Sequence, residues 1–361
     1  MTTHVFIVNK QTFPIHLQYQ FAGTGARESE QHIELLADIK RVRPKDKVIF
    51  YLEGVGFYGI FRVAQGTPLV FNDSTYLGKE LSKKLIYRVL IEPDDVYPGY
   101  VTEWEALDKL PLYAQEIIWS LIYRKFKAWR GCTPITIEES ERLINMLRAK
   151  NCNQTLAVSA DDALTWDPDT KEIKVLSGCR GNLQYTGART QCKNILSEII
   201  WRSKLKRAYE DCLQAYFTEN IGIDPKLEPI CGKSKEIIWI GNEVFCGVGM
   251  QKIDIFTITS DSRENREHRV IELKDEVVTP DVIVQLRRYV NWTLSYIKGT
   301  INSNIQPIVV APLPISSKGR IKVADSCRNF HAFNNEHIAK EIEYFEFEFD
   351  NNALIFNKIS Y

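Results

Sequence analysis

The stretch KIDIFTITSDSRENREHRVIELK, residues 252–274, decides the fold of the second half of the chain. Two runs rich in β-branched and aromatic residues are separated by polar residues, which predicts two strands joined by a turn. Alternation in the second strand places Val270, Glu272 and Lys274 on one face. Asp254 lies in the first strand among apolar neighbours, where a carboxylate is unfavourable unless its charge is compensated. The stretch therefore predicts an acidic functional site, with an exposed Glu272–Lys274 ion pair as the alternative.

A divalent cation would supply that compensation. Mg²⁺ prefers hard oxygen ligands, and the carboxylates of Asp254 and Glu272 on adjacent strands could hold one side of its coordination shell. A water on such a cation could attack a phosphodiester while the metal stabilises the developing charge. Lys274 would orient that water or screen the phosphate. The pattern predicts phosphodiester hydrolysis with Mg²⁺, for which Mn²⁺ could substitute.

Three further motifs extend this pattern. GVGMQKID (247–254) is followed by VIELKDE (270–276) and QLRRY (285–289), and EDCLQAYFTENIG (210–222) lies upstream. Together they resemble the PD-(D/E)xK nuclease superfamily in its RecB-like form, including its mismatch-cutting endonucleases. The resemblance implies a restriction-endonuclease-like α/β/α core in which six residues form the catalytic site: Asp254, Glu272, Lys274, Gln285, Tyr289 and Glu210. Of these, Asp254, Glu272 and Glu210 would be metal ligands.

Each of the added residues has a structural alternative. Gln285 and Tyr289 are four positions apart and share a helix face, where they could brace the site or contact the DNA backbone. A helix-capping Gln285 and a core Tyr289 are the other interpretation. Glu210 would equally suit the edge of an amphipathic helix, predicted from Ile195 to Asn220.

The division of the chain is predicted from its length and from one polar stretch. A chain of 361 residues exceeds what one hydrophobic core usually serves. RAKNCNQT (148–155) has the composition of a linker. We therefore expect a mixed α/β protein with a recognition domain over 1–148 and a nuclease domain over 149–361.

The first half is predicted to be rich in strands. Its segment RPKDKVIFYLEGVGFYGIFRVAQG (43–66) resembles the EVE domains of the PUA superfamily. The resemblance implies a PUA/EVE-like β-barrel with helices that binds nucleic acid, and several such domains accept a modified base in an aromatic pocket. By position it implies Asn9, Phe21 and Arg27 as pocket or rim residues, and Trp104 is a further aromatic candidate. Ordinary core or surface positions are the alternative for all four.

Composition restricts the remaining possibilities. Lys+Arg and Asp+Glu both total 46, so any basic surface must be local. The eight cysteines contain no CxxC pair, which disfavours a zinc ribbon. A signal peptide and an apolar run of about 18 residues are both lacking, so we expect a cytoplasmic protein with no membrane segment.

These features lead to a modular Mg²⁺-dependent DNA endonuclease of restriction type. The first domain would recognise a DNA feature such as a modified base, and the second would cut. A single active site cuts one strand at a time, so double-strand cleavage would favour a homodimer. The alternatives are a mismatch-specific repair endonuclease and, from another class, a catalytically silent reader of modified nucleic acid.

Overall fold

A computed structural model of the chain describes residues 1–25, 33–81, 84–107, 131–246, 251–350 and 353–361. These residues form two compact units, Met1–Lys193 and Asn194–Tyr361. Within the described ranges, no helix is both long and apolar enough to span a lipid bilayer. The mixed α/β class expected from the sequence is confirmed.

The first unit is built on an eight-stranded sheet that curls into half a barrel. The strands of this unit are β1 (Thr3–Val8), β2 (Phe21–Thr24), β3 (Lys47–Leu52), β4 (Gly56–Val63), β5 (Val70–Asn72), β6 (Tyr87–Pro93), β7 (Cys132–Ile135), β8 (Ala163–Asp167), β9 (Glu172–Leu176) and β10 (Thr190–Gln191). The sheet order is β10-β5-β6-β4-β3-β1-β7, and β8 pairs only with β9. β6 pairs with β2 along its first residues and with β4 along its last residues, so the partner strand changes partway along β6.

Five described helices accompany this sheet. They are α1 (Thr12–Tyr19), α2 (Ile33–Lys40), α3 (Gly78–Leu81), α4 (Glu103–Leu107) and α5 (Ile137–Lys150). Thr136 caps α5 in a reciprocal capping box with Glu139, which explains why the helix begins where the sequence predicts. Leu143 and Leu147 of α5 pack in one hydrophobic cluster with Val5 of β1. A further helix predicted over 114–128 lies outside the described residues.

The division between the units differs from the predicted boundary at 148/149. Residues 149–193 belong to the first unit, since the β8–β9 hairpin packs on α1 and β10 pairs with β5. Trp166 of β8 is buried, and its indole N–H donates a hydrogen bond to the Tyr58 hydroxyl at 3.0 Å. The polar composition of residues 148–155 predicted a linker between domains. After this loop the chain instead returns to the hydrophobic core of the first unit.

The second unit contains a six-stranded mixed sheet. Its elements are α6 (Ile195–Lys204), α7 (Glu210–Asn220), α8 (Glu228–Cys231), β11 (Ile237–Phe245), β12 (Lys252–Ser260), β13 (Arg266–Leu273), α9 (Val282–Tyr296), β14 (Ile305–Pro312), α10 (Ser317–Asn334), β15 (Glu343–Asp350) and β16 (Ala353–Ile359). The sheet order follows the chain from β11 to β16. β13, β14 and β15 are parallel to one another, while β11 and β12 are antiparallel. The carboxyl ends of the three parallel strands therefore meet at one edge of the sheet.

The single helix predicted from Ile195 to Asn220 is wrong, because the structure divides it into α6 and α7. Lys206 has a φ of 53°, in the left-handed region that a continuous helix does not contain. Arg202 stabilises the break by donating hydrogen bonds to the Ala208 carbonyl at 3.3 Å and to the Asp211 carboxylate at 3.0 Å. α7 consequently begins at Glu210.

Candidate active site

The candidate site lies where β12 begins and β13 ends. Asp254 is near the start of β12, Glu272 is near the end of β13, and Ile255 pairs with Ile271 between them. The Leu273 amide donates a hydrogen bond to Asp254 Oδ2 at 2.8 Å. Lys274 follows directly, and its ammonium lies 2.5 Å from Glu272 Oε1. The structure thus brings together the aspartate and the Glu-x-Lys pair that the sequence analysis singled out.

Helix α9 lies against the same carboxylate. The Tyr289 hydroxyl donates a hydrogen bond to Glu272 Oε2 at 2.7 Å, and both residues are buried. Tyr289 therefore braces Glu272 as well as filling the core. Gln285, one turn earlier on the helix, is half-buried, and its side chain forms no hydrogen bond within the described ranges. Of the two helical candidates, only Tyr289 contacts a site carboxylate.

Glu210 is the first residue of α7. Its Oε2 atom lies 4.0 Å from the Lys274 ammonium, so Lys274 stands between Glu210 and Glu272. The position of α7 is fixed by the Tyr209 amide, which donates a hydrogen bond to Asp275 Oδ2 at 2.7 Å. The acidic start of this helix therefore faces the residue that follows the Glu-x-Lys pair.

Burial and neighbouring carboxylates raise the pKa values of Asp254 and Glu210. Burial raises the pKa of Asp254 well above its usual value, and the charges of Glu272 and Glu210 add to this effect. Burial likewise raises the pKa of Glu210 to about 7, and Glu272 and other nearby carboxylates reinforce the rise while Lys274 opposes it. The site concentrates more negative charge than Lys274 neutralises.

Lys274 itself is held in its charged form. Burial acts to lower its pKa, but the carboxylates of Glu272, Glu210 and Asp254 outweigh it, and the net effect raises the pKa above the usual value. The ammonium group is therefore a cation at neutral pH and does not accept a proton in this state. It can bind an anionic group or orient a water molecule.

Two polar residues of the site were missed by the sequence analysis. Gln214 lies one turn after Glu210, and its amide donates hydrogen bonds to Asp254 Oδ1 and Glu243 Oε1, each at 3.1 Å. The four-residue spacing from Glu210 was a signal that could have identified Gln214. Glu243 lies in β11 with a φ of 51°, which no local pattern indicated.

The donor set has the chemistry that a hard divalent cation requires. Asp254, Glu272 and Glu210 supply carboxylate oxygens, and a bound cation would offset the burial and the mutual repulsion that raise the pKa values of Asp254 and Glu210. In the described part of the chain, no three His, Cys, Asp or Glu side chains are already arranged as a metal cage. The carboxylate oxygens of Asp254 and Glu272 instead accept hydrogen bonds from Gln214, Lys274 and Tyr289. The acidic residues fit Mg²⁺ by donor type.

The predicted base pocket of the first unit is not assembled in the described residues. Phe21 is fully buried, with its ring 4.6 Å from His16 and 5.5 Å from Tyr185, so no base can stack on it. Asn9 caps the start of α1 by accepting a hydrogen bond from the Thr12 amide at 2.8 Å. Trp104 is 83% exposed on α4. Arg27 lies outside the described residues. The resemblance placed these side chains by position, which does not determine burial.

A cleft lies at the opposite end of β12 and β13 from the carboxylate site. It has a volume of about 1140 Å³ and is lined by the polar turn between these strands, by His268 and Arg269 of β13, and by Asn304 just before β14. Acidic and basic side chains are mixed along it, and Glu267 bridges Arg269 and Lys340. The cleft is thus separate from the carboxylate site.

Comparison with known proteins leaves the chain without a family. No protein family model matches it, and no curated protein is significantly similar. Among solved structures, it is similar to the human THYN1 protein in complex with DNA containing 5-methylcytosine, with 11% identity and a TM-score of 0.30. The similarity covers 40% of this chain and 97% of that chain. Such a score lies below the level that indicates a shared fold, so the function has to be inferred from the residues of this chain.

Proposed function

We propose that the chain is a Mg²⁺-dependent DNA endonuclease whose active site is the carboxylate cluster of the second unit. The observation that carries this proposal is the convergence of Asp254, Glu272 and Glu210 around Lys274 at one edge of the sheet. Strand β12 contains the aspartate, β13 contains the Glu-x-Lys pair, and α9 contains Tyr289. This order supports the resemblance to PD-(D/E)xK nucleases noted in the sequence.

Each residue would have a defined part in phosphodiester hydrolysis. A divalent cation at the carboxylates would supply an activated water and stabilise the developing charge on the phosphate. Asp254 accepts hydrogen bonds from Gln214 and from the Leu273 amide, and Glu272 accepts one from Tyr289. These hydrogen bonds hold the two carboxylates in fixed orientations on adjacent strands. The Lys274 ammonium would bind the scissile phosphate and orient the attacking water.

We further propose that the first unit recognises a DNA feature such as a modified base. The support is the resemblance of residues 43–66 to EVE domains together with the curled half-barrel that contains this segment as β3 and β4. Restriction by double-strand cleavage would then involve two copies of the chain. A mismatch-specific repair endonuclease would use the same active site on a different substrate.

The experiment that tests the nuclease proposal uses two charge-neutralising variants. Asp254→Asn and Glu272→Gln keep the shape of each side chain and should lower Mg²⁺-dependent cleavage by about a hundredfold or more, because each removes a ligand charge. DNA binding should survive. Glu341→Gln, at an exposed position before β15, is the matched control and should cut like the wild type.

The substrates should include methylated, unmethylated and mismatched duplexes, each with and without Mg²⁺ or Mn²⁺. Preferred cutting of methylated DNA supports restriction, and preferred cutting of mismatches supports repair. Cleavage within about tenfold of wild type in both variants would refute the assigned site. Binding without cleavage of any substrate would favour the catalytically silent reader.

A further inference from the structure

Exposed apolar residues and cations alternate in the last turn of α6 and in the start of its connection to α7. Trp201 and Leu205 are 49% and 50% exposed, and Lys204, Lys206 and Arg207 are exposed between and after them. The Arg207 guanidinium lies over the Trp201 ring, 5.2 Å from its centroid. This segment, residues 201–207, leads directly into Glu210 of the candidate site. We call it the first flanking segment.

The first flanking segment lies at the active-site edge of the sheet. Tyr209, two residues beyond it, donates its amide to Asp275 next to Lys274. The Tyr209 ring lies 6.5 Å from Phe347 and 6.4 Å from Phe349, which are in the last part of β15. These contacts fix the connection beside the carboxyl ends of the parallel strands.

A second segment of the same character follows β14. In LPISSKGRIK, residues 313–322, Leu313, Ile315 and Ile321 are 41%, 91% and 63% exposed. Lys274 donates its amide to the carbonyl of Val310, three residues before Leu313. The start of α10 also packs near Val277, since a Cβ on Gly319 would lie 3.5 Å from that side chain. This second flanking segment therefore also borders the site.

Apart from Arg202, which pairs with Glu198 and Asp211, the cations of both segments form no ion pair within the part of the chain that the structure describes. Lys318, Arg320 and Lys322 of the second segment are exposed, and neither segment contains an acidic residue. Across the described ranges, none of these three forms an ion pair, and the same holds for Lys204, Lys206 and Arg207. A polyanion would be attracted to this surface, whereas an isologous dimer would place like charges against each other.

We propose that the two flanking segments bind single-stranded DNA on either side of the carboxylate site. This inference rests on the proposed nuclease function and names its substrate class. A duplex presents phosphates outward and keeps its bases stacked, which would leave Ile315 and the Trp201 ring against water. Unpaired bases offer π-faces to such side chains while the neighbouring cations contact the phosphates. The site thus takes DNA that is single-stranded or locally unpaired around the scissile bond.

The test measures binding without cleavage, using the full-length protein in EDTA. Fluorescence anisotropy compares a thymidine 20-mer, a duplex of equal length and a uridine 20-mer. Trp201→Ala should weaken single-strand binding roughly tenfold, in the range of one lost stacking interaction. Ile315→Ser should weaken it severalfold. Ile223→Ser is the matched control, because Ile223 is 67% exposed outside both segments.

A third variant tests the cations. Lys318→Ala, Arg320→Ala and Lys322→Ala combined should reduce the slope of log affinity against log salt concentration by about 2, since each lost phosphate contact on a single strand contributes about 0.7. All the substituted side chains are exposed, and circular dichroism should show unchanged folding.

The proposal would be overturned by unchanged single-strand affinity in all folded variants, or by equal losses of affinity for single strand and duplex. Tighter binding of the uridine strand than of the thymidine strand would also overturn it. So would variants that sediment as monomers where the wild type is a dimer and that retain their DNA affinity. The last result would identify a self-association surface. A protein that cuts duplex DNA but fails this test keeps the nuclease proposal and loses this one. A protein that binds single strands as expected but cuts no nucleic acid would keep the single-strand binding proposal and lose the nuclease proposal.

Discussion

The ring of Phe21 is completely buried, so its loss should produce a packing defect rather than a change in substrate choice. We predict that Phe21→Ala lowers the free energy of unfolding by about 3–5 kcal/mol, the usual cost of emptying a buried aromatic site. Trp104→Ala, at an 83% exposed position, should change it by less than about 0.5 kcal/mol. Chemical denaturation monitored by circular dichroism measures both. A stable Phe21→Ala protein with altered DNA preference would restore the pocket that the sequence suggested.

The residues that the sequence could and could not identify differ in the range of the interactions involved. Glu272 and Lys274 were found because strand alternation fixes the face of each side chain, and Asp254 because a carboxylate among apolar neighbours needs compensation. The spacing from Glu210 places Gln214 on the same helix face, but its hydrogen bond to Asp254, 40 residues away, is a tertiary contact that no local period encodes. Phe21 shows the same limit, since its burial depends on His16 and on the distant Tyr185.

At the scale of elements, Tyr289 joins helix α9 to strand β13 through Glu272. We predict that Tyr289→Phe lowers cleavage roughly tenfold, because the freed Glu272 oxygen loses its donor and the carboxylate is no longer held in one orientation. Unfolding should become easier by about 1–3 kcal/mol, the cost of a buried unsatisfied group. Tyr296→Phe, on the same helix, is the control. Full cleavage activity in Tyr289→Phe would show that Tyr289 is only a core residue.

Helix ends were predictable where the sequence provides a cap and not where tertiary contacts decide. Thr136 and Glu139 identify the start of α5 within four residues of sequence. The break between α6 and α7 depends on Arg202 reaching Ala208 and on Asp275 accepting the Tyr209 amide from another part of the fold. Apolar periodicity continues through the break, so the pattern alone predicted one helix.

At the scale of the whole molecule, the first unit extends to Lys193. We predict that a fragment of residues 1–193 unfolds cooperatively, whereas a fragment of residues 1–148 unfolds at a temperature lower by roughly 10 °C. The shorter fragment lacks Trp166, whose burial against Phe13 and Tyr58 should be worth about 3–5 kcal/mol. For a domain of this size, each 1 kcal/mol shifts the midpoint by about 2–4 °C.

Thermal unfolding by circular dichroism compares the two fragments at equal concentration. Equal midpoints would place the boundary near 148 after all, as the polar composition of 148–155 suggested. The composition could not settle this question, because a polar loop inside a unit and a linker between units have the same residue types. The return of the chain is seen in tertiary contacts, namely the pairing of β10 with β5 and the hydrogen bond from Trp166 to Tyr58.

The mixed sheet of the second unit also sets an order in which the candidate site can assemble during folding. The contacts of Leu273 with Asp254 and of Tyr289 with Glu272 span only 19 and 17 residues. Parallel strands β13, β14 and β15 instead need crossover helices, and such distant pairings form slowly. Gln214 and Glu210 on α7 complete the site only after β11 and β12 have docked. A chain emerging from the ribosome would therefore have the Asp254–Leu273 contact in place before residues 313–322, which follow β14, take their position beside the candidate site.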